Sequence, residues 1–335
     1  MNIGIIGYGN QSKKIIDLIL KHKKAAKILV YYYRKKKFIK LQSSNRNKRI
    51  IFYNRLNKLK NLNCIFITSP NETHVKYLKY FLKHKTYIFC EKPPCTTIKE
   101  YNYLSKLDKK FKKRIYFNFN YNQSSLKKIL KKLILKKQSG NPIFASISFS
   151  HGIAFNNKKY SKWRLKQKNI FDNILGNLGI HYLELLTSLF GKIIKMNFVS
   201  ENHSNVKSFD TGIINLSFKK KMHATIYLSY AASFDQNIKI HLTNSLIELR
   251  KNKLFFCFPR DSFDKSGKYC YPKIKLIKNF SSDIHIESLN ASLTYFFDKV
   301  YYKRIINQQY FNNALYLSKI LIKKNNKFRF LKNEK

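Results

Sequence analysis

Glu91-Lys92-Pro93-Pro94 follows the apolar run Tyr87–Cys90. A primary amine is thereby set at the carboxyl end of a predicted strand, and the prolines that follow stop the strand by fixing φ and removing donors. In open α/β sheets that end of the strands is where ligands bind. A partly desolvated amine there has a pKa low enough to exchange protons with a substrate hydroxyl. A second set is Gly7-Tyr8-Gly9-Asn10-Gln11-Ser12, placed between the apolar run Asn2–Ile6 and the helical pattern Lys13–Leu20. Gly7 permits a tight turn, Gly9 lets the backbone approach a diphosphate at a helix N-terminus, and Ser12 is the small third residue of G-x-G-x-x-G. A third set is Asn177 and His181, four residues apart and so on one face of a helix. An imidazole in such a place can take a proton from a hydroxyl or hold it. The combined chemistry is proton transfer beside a bound dinucleotide.

These groups need a scaffold, and the chain's periodicity supplies one. Strands are expected at Asn2–Ile6, Ile28–Tyr33, Arg49–Tyr53, Cys64–Thr68, Tyr87–Glu91 and Ile115–Tyr121, with helices over Glu72–His84 and Ile98–Phe111. Strands alternating with helices give parallel βαβ units and a doubly wound sheet. The first domain therefore spans 1–121. After a helix at Ser124–Lys137 the pattern becomes short runs with turn signals: Ile143–Ser150, Lys195–Ser200, Gly212–Phe218, His223–Tyr230, Ile238–His241, Ser245–Arg250 and Lys253–Phe258. They predict an open, largely antiparallel sheet in a second α/β domain over 122–335. Helices are expected at Ile174–Phe190, Glu287–Lys303 and Asn312–Lys323.

Composition narrows the class. The 335 residues carry a formal net charge of +50, yet only 10 of the 67 basic residues are Arg. Readers of nucleic acid favour Arg for bidentate recognition, and here Lys is spread over the whole length, so no specific nucleic-acid partner is expected. The five cysteines (64, 90, 95, 257, 270) form no C-x-x-C and no cluster with histidine, which predicts reduced thiols and no metal. No apolar run reaches the roughly 20 residues of a membrane span, and the first strand starts at residue 2, so a soluble cytoplasmic protein is expected.

The order of motifs resembles the glucose–fructose oxidoreductase / inositol dehydrogenase (Gfo/Idh/MocA) family. The resemblance is carried by Gly7-Tyr8-Gly9; Thr68-Ser69-Pro70-Asn71 with His74; Glu91-Lys92-Pro93; Trp163-Arg164; and Gly179-Ile180-His181 followed by Tyr182-Leu183-Glu184. It implies an N-terminal Rossmann domain, a C-terminal domain often used for oligomerisation, and NAD(P)-dependent hydride transfer at a carbinol carbon of a sugar or polyol. A homodimer or homotetramer is the expected assembly. By the same resemblance Gly7, Tyr8, Gly9, Asn10 and Gln11 bind the cofactor, with Thr68, Ser69, Pro70, Asn71 and His74 on its ribose side and Glu91 at the nicotinamide ribose. Lys92 and His181 become the catalytic pair, facing each other across the cleft. Trp163, Arg164 and Asn177, with Lys92 and His181, become substrate contacts.

The chain departs from the family at three places. Asn177 stands where Asp is usual, Phe171-Asp172-Asn173 replaces a Gly-rich approach, and Asn122 stands for a common Arg. An amide binds a hydroxyl but accepts no proton, so base chemistry falls to His181 and Lys92. Near the end of the second strand, where a carboxylate would accept the 2′-hydroxyl of NAD, the chain reads Tyr32-Tyr33-Arg34. Arg34 suits a 2′-phosphate, which favours NADP over NAD. A non-catalytic dinucleotide sensor on the same scaffold is the alternative, supported by Asn177.

Overall fold

The structure, a computed structural model, describes residues 1–22, 27–156, 170–204, 209–258, 262–280 and 283–330. It divides into two compact units, Met1–Asn122 with Leu289–Ile322, and Gln123–Ser288 with Lys323–Lys335.

The first unit runs β1 (Asn2–Ile6), α1 (Asn10–Lys21), β2 (Lys27–Tyr31), α2 (Lys35–Ser44), β3 (Ile50–Tyr53), β4 (Cys64–Ile67), α3 (His74–Leu82), β5 (Tyr87–Glu91), α4 (Ile98–Ser105), α5 (Lys109–Lys112) and β6 (Ile115–Asn118). All six strands pair in parallel, in the order β3-β2-β1-β4-β5-β6. Continuous runs such as Cys64–Ile67 and Ile88–Cys90 are buried throughout, as strands covered on both faces must be. In α1, Ile15, Ile16 and Ile19 turn one apolar face to this sheet. The order reverses between β1 and β4, so a crevice opens at the strands' carboxyl ends beside that switch point.

Three expectations change here. The helix expected over Ile98–Phe111 is two: α4 ends at Ser105, and Asp108 precedes α5. The helix expected from Glu72 begins with a 3₁₀ turn, Asn71–Thr73, and becomes α-helical at His74. The division at residue 121 omits a return of the chain. From α8 (Ile284–Tyr301), Leu289, Leu293, Phe296 and Phe297 share one core with Ile3, Phe66, Phe89 and Tyr116. Phe296 packs 5.4 Å from both Phe66 and Phe89, and the Tyr116 hydroxyl donates to Ser292 Oγ at 3.1 Å.

The second unit holds α6 (Ser125–Ile134), β7 (Pro142–Ser150), a π-helical turn at Leu175–Gly179, α7 (Ile180–Phe190) and seven further strands. These are β8 (Ile193–Glu201), β9 (Thr211–Phe218), β10 (His223–Ser229), β11 (Asp235–Leu242), β12 (Ser245–Arg250), β13 (Lys253–Cys257) and β14 (Ile274–Asn279). The eight-stranded sheet reads β14-β13-β12-β11-β7-β10-β9-β8, antiparallel except for β7 and β10. Burial alternates along the strands; in β9, Gly212, Ile214, Leu216 and Phe218 are buried while Ile213 and Asn215 are exposed, so one face forms a core and the other is open. A buried ion pair ties α6 to α7, with Lys127 Nζ 2.8 Å from Glu184 Oε1. The last helix is α9 (Gln308–Phe330), longer than expected at both ends. No helix among the described residues is long and apolar enough to cross a membrane.

Candidate active site

Four turns at the carboxyl ends of the parallel strands gather the first unit's candidate residues. After β1, Gly7 takes φ +95°, and its N–H donates to the Tyr31 carbonyl at 3.1 Å. A Cβ here would press on the Ser69 backbone and Thr68 carbonyl at 3.3 Å, so both conformation and closeness call for glycine. Gly9 is different. Its φ of −96° suits any residue, and a Cβ built on it meets nothing within 4 Å. The fold does not need glycine there; the open space in front of the backbone does. The first-turn N–H groups of α1 lack intrahelical acceptors, and together with that space they fit a diphosphate. Asn10 opens the helix and is exposed. Tyr8 packs edge-on to Phe52, centroids 5.0 Å apart, with the Lys13 ammonium 5.5 Å from its ring centroid.

Hydrogen bonds lash this turn to its neighbours. Ser12 Oγ lies 2.7 Å from Thr68 Oγ1 and accepts from the Gly9 N–H at 3.2 Å. Thr68 Oγ1 donates to the Ile6 carbonyl at 2.9 Å. Ser69 Oγ lies 2.6 Å from Thr73 Oγ1, which donates to the Pro70 carbonyl at 2.7 Å, and Asn71 starts the 3₁₀ turn. Gln11, expected at the cofactor, donates its amide to Glu91 Oε1 at 2.9 Å. Asn118 at the end of β6 donates to the same oxygen at 2.9 Å. Glu91, only 9% exposed, is thus held from α1 on one side and from the adjacent β6 on the other.

His74 is the clearest correction. Expected beside the cofactor's ribose, its ring is 0% exposed. Nδ1 lies 2.8 Å from the Pro93 carbonyl oxygen and Nε2 lies 2.9 Å from that of Ser69. Burial pushes the imidazole below its ordinary pKa, against the two carbonyls, Glu91 and Glu72, which favour the charged ring. Both ring nitrogens face backbone carbonyls, and the neutral ring donates to one of them, so His74 shapes the β4 and β5 turns and its buried ring offers no surface to a ribose. Lys92, half-buried, follows β5 and joins Pro93 through a cis peptide. The exposed Arg34 precedes α2, at the end of β2.

In the second unit, Asn177 and His181 do not share an α-helical register. Asn177 lies in the π turn, while His181, 6% exposed, is the second residue of α7. A Cβ on Gly176 would lie 2.2 Å from the Ile170 carbonyl oxygen, so the close approach of the preceding turn requires glycine there. Asn177 Nδ2 donates to the Tyr230 hydroxyl at 3.0 Å. Tyr230 lies 5.0 Å from the His151 ring. Neither partner was anticipated. Both stand one residue beyond parallel strands that end side by side, Ser150 opposite Ser229, a juxtaposition across some eighty residues of chain that no local pattern marks. Trp163 and Arg164 lie outside the described residues.

Comparison with known proteins decides the family. Residues 1–119 match the family described as "Oxidoreductase family, NAD-binding Rossmann fold", and residues 128–248 match its C-terminal domain. The chain belongs to the Gfo/Idh/MocA family. Within that family it is 30% identical over 152 residues to glucose-6-phosphate 3-dehydrogenase of Bacillus subtilis, a match spanning 43% of this chain and 41% of the relative. The chain thus matches less than half the length of that curated relative. Among solved structures, levoglucosan dehydrogenase with NADH and levoglucosan superposes with a TM-score of 0.75 at 15% identity, covering 98% of this chain and 97% of that one. A myo-inositol dehydrogenase from Corynebacterium glutamicum gives 0.71 at 15% identity, again over 98% and 97%. At that identity the likeness establishes the fold, the Gfo/Idh/MocA pairing of a Rossmann unit with an open sheet.

Proposed function

We propose that this chain is an NAD(P)-dependent oxidoreductase that moves hydride to or from a carbinol carbon of a sugar or sugar derivative. The observation that carries the reading is the gathering of the Gly7–Gly9 turn, Glu91 and Lys92 at one end of a parallel sheet, in a family of oxidoreductases. A bound nicotinamide dinucleotide supplies the hydride donor or acceptor. The α1 N-terminus binds its diphosphate across the open space at Gly9. Glu91, fixed by Gln11 and Asn118, accepts a ribose hydroxyl. Lys92 Nζ takes the substrate's hydroxyl proton in oxidation and returns it in reduction, and its charge stabilises the developing oxyanion. His181 shares that proton, and Asn177 orients the hydroxyl-bearing substrate with Trp163 and Arg164. Arg34 binds the 2′-phosphate of NADP: no Asp or Glu stands between Asp17 and Glu72 to accept a 2′-hydroxyl.

The names of the Bacillus relative and of the levoglucosan and myo-inositol enzymes point to cyclic polyols as the substrate class. A glycan precursor is the narrower candidate. Five free thiols suit a reducing compartment such as the cytoplasm. Exposed Ile194 and Val199 on the edge strand β8, with Ile213 on its neighbour β9, suit burial in a homodimer or homotetramer.

Screening sugars and sugar phosphates for absorbance change at the nicotinamide band tests the reading. Turnover is expected, and Lys92→Ala should abolish it while keeping cofactor affinity. Tight dinucleotide binding with no turnover on any candidate would favour the sensor alternative, which the fixing of the Asn177 amide on Tyr230 supports.

A further inference from the structure

Arg34 follows β2 at the carboxyl end of the parallel sheet. Its Nε donates to the Tyr33 hydroxyl at 2.8 Å, and its guanidinium carbon lies 5.5 Å from the Tyr33 ring centroid. Tyr33, 59% exposed, stacks in turn on Tyr32, with centroids 6.0 Å apart and ring planes 29° apart. A guanidinium is a planar fork of five N–H donors. Committing Nε to the phenol fixes the plane of that fork and leaves the edge carrying the two terminal amines for a second partner. Two parallel N–H···O bonds to an anion are the strongest use of such an edge. Packing against the ring adds a cation–π attraction. An arginine on a solvent-exposed turn otherwise loses considerable rotamer freedom on binding, and the phenol removes part of that freedom beforehand.

We infer that Tyr33 sets the cofactor preference of this protein, as a positioning residue that presents the terminal amines of Arg34 to the 2′-phosphate of NADP. The inference rests on the NADP reading above and adds to it the residue that makes the arginine selective. Between Asp17 and Glu72 the sequence has no Asp or Glu that could instead bind the 2′-hydroxyl of NAD.

The test uses the whole chain and fragments of the cofactor, so it does not depend on turnover. Calorimetry would compare 2′,5′-ADP with 5′-AMP, which differ only in the 2′-phosphate. Wild type should bind 2′,5′-ADP about a hundredfold more tightly, as a charge-assisted bidentate contact allows. Arg34→Ala should remove that preference. Tyr33→Phe keeps the ring and loses only the hydroxyl; it should weaken 2′,5′-ADP about fivefold, the worth of one hydrogen bond, and leave 5′-AMP unchanged. A preference lost in Arg34→Ala and intact in Tyr33→Phe would overturn the role of Tyr33 alone. Equal binding of the two nucleotides by wild type would overturn the NADP reading together with it.

Discussion

Nδ1 of His74 lies 2.8 Å from the carbonyl oxygen of Pro93, two residues past the end of β5. Its other nitrogen reaches the Ser69 carbonyl at 2.9 Å, so one buried ring joins the turns after β4 and β5. Those turns carry Thr68–Asn71 on one side and Glu91-Lys92 on the other. Replacing His74 with Ala removes the ring and the one N–H that the neutral imidazole gives to these carbonyls. The expected cost is about 2–4 kcal/mol of stability, measured by urea unfolding. Dinucleotide affinity should fall as well, read by fluorescence titration below the unfolding midpoint, because both lining turns lose their tie.

The same ring sets an acid limit. Burial lowers its pKa below the ordinary 6.5, outweighing the carbonyls of Pro93 and Ser69 and the charges of Glu91 and Glu72. As pH falls the unfolded chain takes up the proton first. The stability is therefore complete above the ordinary histidine value and is lost as pH drops through it toward the lower folded value. Thermal midpoints of wild type should decline over that window more steeply than those of His74→Gln.

The two glycines of the first turn should fail in opposite ways. Gly7→Ala forces a Cβ into a left-handed conformation and against the Ser69 backbone, costing about 1–2 kcal/mol or more. Gly9→Val adds a side chain to open space at an ordinary φ. Its melting temperature should match wild type while dinucleotide affinity drops at least about tenfold, about 1.4 kcal/mol. Paired melting curves and binding isotherms check both.

Lys127 and Glu184 form an ion pair in which both side chains are largely buried. Lys127→Met leaves the Glu184 carboxylate in the interior without its ammonium. A loss of about 3–5 kcal/mol is expected, and the double variant Lys127→Met with Glu184→Leu should recover much of it. Denaturant midpoints of the two variants make the comparison.

Tyr230→Phe removes the acceptor of the Asn177 amide. The amide then loses its fixed orientation. If Asn177 contacts the substrate as proposed, KM should rise about fivefold, the worth of one hydrogen bond, while dinucleotide affinity stays unchanged. Steady-state kinetics beside cofactor titration separates the two effects.

What could be read from the chain followed how local its cause was. The Gly7–Gly9 turn and the Glu91-Lys92-Pro93 strand end depend on a few consecutive residues, and both stand where the pattern put them. α2 was missed because Lys35–Ser44 is polar and carries four lysines, with a weak apolar stripe. β14 was missed because Ile274–Asn279 is a mostly exposed edge strand alternating with lysine. The π turn at Leu175–Gly179 was missed because its residues read as the start of one continuous α-helix. The pairing of β7 with β10 that brings His151 to Tyr230, and the two carbonyl contacts of His74, depend on distant chain.

Leu289, Leu293, Phe296 and Phe297 complete the apolar core of a sheet whose final strand ends at Asn118. A ribosome therefore extrudes every strand of the nucleotide-binding half long before it makes the helix that roofs them. For the whole of that interval Phe66, Phe89 and Tyr116 lack their cover, and the nascent polypeptide depends on chaperones or on transient collapse to stay soluble. A gene fragment halted at codon 121 would prolong that exposed state indefinitely and yield aggregate in place of a cofactor-binding domain.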